Sequence, residues 1–139
     1  MIVRHVIRYS TVTGLCLVAV ACSDGSDGST PTTAAPATTA EVVLDEYRFA
    51  PTVLAAGDAE IVRATNLGGL EHSWSVLAEP IESEFELAEA TVLGEARVQV
   101  GQSADVDISG LEPGRYQVVC VIPGHISAGM VGELVIAEG

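Results

Sequence analysis

From residue 41 onward the chain breaks into short apolar-rich runs at nearly regular intervals, with glycine, proline or asparagine between them. EVVLDEYRFA and PTVLAAG are separated by Pro51; EIVRATN alternates and ends on the turn NLGG; HSWSVL alternates again; ARVQV, ADVDISG, GRYQVVCVI and GELVIAE follow. Runs this short, several with period two, suit strands rather than helices, which need a longer apolar stripe to bury a face. No helical crossovers separate them, so the pattern predicts an all-β fold, an antiparallel Greek-key β-sandwich of seven to eight strands. One stretch departs from it: in PIESEFELAEATVLGE, Ile81, Phe85 and Ala88 fall at helical spacing within an acid-rich run. It reads as a short helix or flap inserted between strands.

Residues 1–21 obey different rules. Arg4, His5 and Arg8 form a positive start, Thr11 to Ala21 a mostly apolar core too short to span a bilayer comfortably, and Ala19-Val20-Ala21 a small-residue cleavage approach. That combination predicts a secretory signal peptide. Cleavage before Cys22 resembles the bacterial lipobox, which implies that Cys22 is lipidated and begins the mature chain; the alternative is an ordinary signal peptide with Cys22 lost or left free. Residues 22–40 continue as SDGSDGSTPTTAAPATTA after the cysteine, a composition that buries no core and reads as a flexible tether. Glu41 to Gly139 leaves 99 residues, one small domain. The expected location is therefore extracytoplasmic, lipid-anchored to the cell membrane, in a periplasm or on an outer surface.

Charge narrows the partners. Loss of Arg4 and Arg8 takes the formal charge from −13 to −15, with four arginines and no lysine left. Nucleic acid needs a basic footprint and is excluded as a partner. An acidic surface of this strength steers basic partners instead.

The chemistry concentrates in CVIPGHISAGM. A chain with three cysteines, three histidines and two methionines places Cys120, His125 and Met130 within eleven residues. Thiolate, imidazole and thioether together select copper or another soft metal. His5 and Cys16 leave with the signal and Cys22 is consumed by lipid, so His72 is the remaining imidazole and Cys120 the one thiol of the domain. Structural zinc wants four strong N/S donors and does not ordinarily take a thioether. A binuclear copper site needs a second thiolate, and a catalytic copper site further histidines. His72, Cys120, His125 and Met130 match two imidazoles and a thiolate with a weak axial thioether, the blue-copper donor set, one copper per chain. Asn66, in a turn, and Ser73, beside His72, are candidates for supporting the ligands; an ordinary turn asparagine and strand serine are the alternatives. Trp74 and Tyr116 read as core, Tyr116 as a corner clamp.

NLGGLEHSWSV followed by LEPGRYQVVCVIPGHISAGMVGELVI resembles the cupredoxins, the plastocyanin- and azurin-like blue copper proteins. The shared pattern is an Asn/Gly turn into the first His, an L-x-P-G-x-Y approach, then Cys, Pro-Gly-His, Gly-Met and a closing strand. The spacing C-x4-H-x4-M is nearest the rusticyanin-like members. Over residues 41–139 the resemblance implies copper at His72, Cys120, His125 and Met130. A site with no open position activates no substrate, so the expectation is an electron carrier, not an enzyme. Its partners would be redox proteins such as a cytochrome, reductase or oxidase, meeting a monomer at the His125 edge, where Pro123, Gly124, Ile126 and Leu70 form an apolar collar. The acids of IESEFELAE either steer that partner or form a solvated face. The second reading is copper buffering or delivery at the cell surface.

Overall fold

The computed structural model describes residues 37–138. The signal peptide, Cys22 and most of the tether lie outside the described residues. Among the described residues nine strands form two sheets: β1 (Thr39–Asp45), β2 (Arg48–Ala50), β3 (Val53–Gly57), β4 (Ile61–Asn66), β5 (His72–Leu77), β6 (Val92–Val98), β7 (Ser103–Asp107), β8 (Gly114–Val119) and β9 (Val131–Ile136). One sheet has the order β2-β1-β4-β7, the other β3-β9-β8-β5-β6. The expected all-β Greek-key sandwich is therefore present, with one strand more than the eight expected at most.

The extra strand comes from the first run. EVVLDEYRFA is not one strand: the chain reverses at Glu46–Tyr47, and Val43, Leu44 and Asp45 pair with Ala50, Phe49 and Arg48. The pairing is also not purely antiparallel, since β1 lies parallel to β4 and β3 parallel to β9. Thr39 and Ala40, within the segment read as tether, pair with Ile61 and Val62 and so belong to the domain. Period-two alternation does the packing: Val42 and Leu44 of β1, Val62 and Ala64 of β4 and Val106 of β7 face Leu54, Trp74, Val76, Val118 and Leu134 of the other sheet, all buried. The Tyr116 hydroxyl donates to the Glu112 carbonyl at 2.7 Å, the corner clamp expected of it.

The acid-rich insertion carries a short 3₁₀ helix, Glu84–Ala88, which buries none of its residues. Phe85, at helical spacing from Ile81, is 94% exposed, so that spacing marks no buried face. The insertion is fastened by polar contacts instead. The Ile81 amide donates to Gln117 Oε1 at 2.8 Å, and Gln117 Nε2 donates back to the Ile81 carbonyl at 3.0 Å.

Candidate metal centre

Four connections meet at one pole of the sandwich: the β1–β2 turn, the β4–β5 turn, the β6–β7 turn and the long β8–β9 loop. His72 opens β5 and Cys120 follows β8 directly, so the register that pairs Ser75 with Val119 brings two residues far apart in sequence to the same edge. His125 and Met130 lie on the loop between Cys120 and β9. The ligand atoms of His72, Cys120 and His125 all lie within 4.8 Å of one another. His125 Nδ1 is 3.2 Å from His72 Nδ1 and 3.3 Å from Cys120 Sγ. Met130 is fully buried nearby.

The loop holds itself in shape. The Met130 amide donates to the His125 carbonyl at 2.9 Å, the Cys120 amide to the Met130 carbonyl at 3.2 Å, and the His125 amide to the Ile122 carbonyl at 3.0 Å. The three loop residues of the set are thus tied to one another through the backbone before any metal binds. Gly124 and Gly129 have φ of 86° and 100°, left-handed conformations that a Cβ disfavours, each one residue before a donor side chain. That is how the loop turns both His125 and Met130 inward.

Ser73 links the two ligand segments. Its amide donates to Cys120 Sγ at 3.2 Å, and its hydroxyl accepts the Val121 amide at 2.8 Å while contacting Ser75 Oγ at 3.1 Å. Asn66, fully buried, works one turn away. Its Nδ2 donates to the carbonyls of Leu70 (2.7 Å) and Val98 (2.8 Å), and its Oδ1 accepts the Gly68 amide. It therefore braces the turn that presents His72 against β6, and the contact with the cysteine segment is made by Ser73.

The electrostatics at His72 suit a cation held by a neutral imidazole. Burial, then the adjacent His125, push His72 below the usual histidine range, outweighing the pull of Glu46 and Asp45. His72 Nε2 is buried without a hydrogen-bond partner among the described residues, while its Nδ1 faces His125. His125 is 7% exposed. Beside it in the loop Pro123 and Gly124 are exposed and Ile126 is half-buried; in the β4–β5 turn Leu70 is 44% exposed and Leu67 68% exposed. The donor chemistry, two imidazole nitrogens and a thiol converging among buried residues with a buried thioether nearby, fits copper.

Three residues make contacts that had no signal in the sequence spacing. Tyr47 packs against the His125 ring, centroids 5.1 Å apart and planes at 82°. Glu46 accepts the Gly69 amide. Glu84, one of the acids of the insertion, accepts the Gly124 amide and, at 2.6 Å, the Ser127 hydroxyl. Each joins segments far apart in the chain, which no local pattern of residues announces.

Comparison with known proteins agrees with this geometry. The model of the family described as copper binding proteins, plastocyanin/azurin family, matches residues 37–137. The copper-resistant cuproprotein CopI of Rubrivivax gelatinosus is 31% identical over 105 residues, which cover 68% of this chain and 63% of that protein, so the chain spans less than two thirds of that relative. Similar solved structures include the dithionite-reduced auracyanin of Roseiflexus castenholzii (TM-score 0.59, 16% identity, 73% of this chain and 98% of that one). Auracyanin B (0.57, 25%, 75% and 91%) and auracyanin A of Chloroflexus aurantiacus (0.57, 21%, 71% and 98%) share the same sandwich.

Proposed function

Because this chain belongs to the plastocyanin/azurin family of copper binding proteins, we propose that it is an electron carrier, moving single electrons between redox proteins outside the cytoplasm. Copper, when bound, would supply the Cu(II)/Cu(I) couple. The chain's own residues would do the rest: His72, Cys120 and His125 would supply the strong donors and Met130 a weak one, with the buried surroundings shielding them from water. The single observation that carries the reading is the closed, buried convergence of the three donor atoms within 4.8 Å, with every segment that bears them braced by hydrogen bonds. A rigid, closed site changes little between oxidation states, which favours transfer and disfavours substrate chemistry.

His125 is the proposed exit. Its ring edge is the part of the donor set nearest solvent, and the exposed Pro123, Leu67 and Leu70 around it offer an apolar docking face. A lipid anchor at Cys22 and the tether behind it would keep the carrier at the membrane.

The deciding experiment is an optical and EPR spectrum of the Cu(II)-loaded fragment from residue 37 onward, followed by reductive titration. An intense thiolate-to-copper visible band with narrow hyperfine splitting, bleached and restored without copper loss, is the expected result. A pale site that surrenders copper to a chelator on reduction would instead favour copper handling, the second reading. That reading draws support from the likeness to a copper-resistant cuproprotein. In the carrier, His125→Gly should lower the electron self-exchange rate at least tenfold while copper still binds; an unchanged rate would overturn His125 as the route.

A further inference from the structure

The most strained backbone beside the centre belongs to the sheet that supplies none of the four donors. β1 reverses into β2 at Glu46 and Tyr47, and Tyr47 holds φ at 56°, the one positive φ outside glycine among the described residues. A bulky side chain is costly there because Cβ crowds the next carbonyl, and glycine or asparagine is the ordinary occupant. A residue kept in such a conformation points to something its side chain does. The ring meets the His125 imidazole nearly perpendicular, centroids 5.1 Å apart. The neighbouring Glu46 accepts the amide of Gly69, in the turn that leads into His72. One strained turn thus touches the segments that present both imidazoles.

We propose that Tyr47 is a positioning residue for His125, its ring fixing the imidazole plane so that Nδ1 stays directed at Cys120 and His72. The backbone of His125 is fixed by the loop, but the loop does not fix rotation of the ring about its own bonds. Within the donor set the ring meets Cys120 Sγ and His72 Nδ1, and neither contact is yet a metal bond. Tyr47 supplies a wall on another side of the ring and covers it, while remaining 40% exposed itself. The role rests on the reading of His125 as a copper ligand. It places a tyrosine at the rim of the electron exit, where a partner would meet it.

Tyr47→Gly and Tyr47→Phe separate this from ordinary packing. Glycine relaxes the backbone and deletes the ring; phenylalanine keeps both the strain and the ring. For Tyr47→Gly the melting temperature should stay within about 3 °C of the parent, since relief of the turn offsets the lost contact. In the metal-free protein the His125 imidazole NMR resonances should shift and broaden. Copper loss to a chelator should be faster by about two- to tenfold, the factor that an edge-to-face aromatic contact of ordinary strength corresponds to. Tyr47→Phe should match the parent in all three. Parent-like His125 resonances and copper loss in Tyr47→Gly would overturn the proposal. Should the glycine variant fail to fold, Tyr47→Asn, which tolerates the same φ, carries the same test. A parent that takes up no copper would sink the copper reading alone, because the metal-free resonances decide the part played by Tyr47.

Discussion

Ser73 shows how much one side chain can carry at this site. Its hydroxyl accepts the Val121 amide and its amide donates to Cys120 Sγ, so it joins the β5 edge to the start of the ligand loop. Ser73→Ala leaves the half-buried Val121 amide without an acceptor, which should cost about 1–3 kcal/mol in denaturant unfolding. Because the amide to sulfur contact depends on that junction staying closed, the reduction potential should move as well; an unchanged potential would limit Ser73 to stability. Met130→Leu should keep the visible band, which depends on the thiolate, and raise the potential, since a thioether donates to the more highly charged ion. A parent-like potential would remove Met130 from the donor set. At this scale the sequence was most legible where chemistry is local. Cys120, His125 and Met130 share eleven residues, and a chain with so few soft donors left His72 as the remaining imidazole. Tyr47 and Glu84 stayed hidden because their partners lie in other elements and their residue types signal nothing in isolation.

The strands show a similar division. HSWSVL became β5 at its exact bounds because a turn closes it at one end and an acid-rich run at the other. EVVLDEYRFA was read as continuous because Glu46-Tyr47 lacks the glycine or asparagine that ordinarily announces a tight reversal. The two parallel pairings follow from which strands come to lie side by side within each sheet, a property of the whole topology that no single run encodes. The insertion is the element whose role changed most: it carries no buried face and acts as a strap, with Glu84 gripping Gly124 and Ser127 of the ligand loop. The Ser127 hydroxyl first, and the Gly124 amide second, hold the Glu84 carboxyl below its ordinary 4.5. A lowered carboxylate contributes stability at neutral pH and loses it as pH falls through the folded value, below about 4.5. Glu84→Gln should therefore flatten the acid limb of the stability profile and leave neutral-pH copper binding intact; a parent-like acid limb would show that the strap holds through other contacts.

Across the whole molecule, charge is the least balanced property. All four arginines of the domain already face acids: Arg48 with Asp45, Arg63 with Asp105, Arg97 with Glu71 and Glu95, and Arg115 with Glu133. Residues 37–138 hold 17 acids against these four arginines, so their formal excess of −13 is carried by acids with no arginine or lysine among the described residues left to neutralise them. Self-repulsion of that kind opposes compactness and is screened by salt. The melting temperature should rise as sodium chloride increases from about 0.01 M to about 0.1 M, where the screening length falls from about 30 Å to about 10 Å. A fall would mean that the exposed ion pairs dominate. The direction of the outer strands has a practical consequence of its own. β1 runs from Thr39 toward the Tyr47 turn, and β9 runs away from Met130 to Ile136, which pairs with Gly114. Both ends of the domain thus leave at the pole opposite the donors. A protein fused at either end, or an electrode coupled to residue 37, would find the copper face turned outward, and the visible spectrum of such a fusion should match that of the free domain.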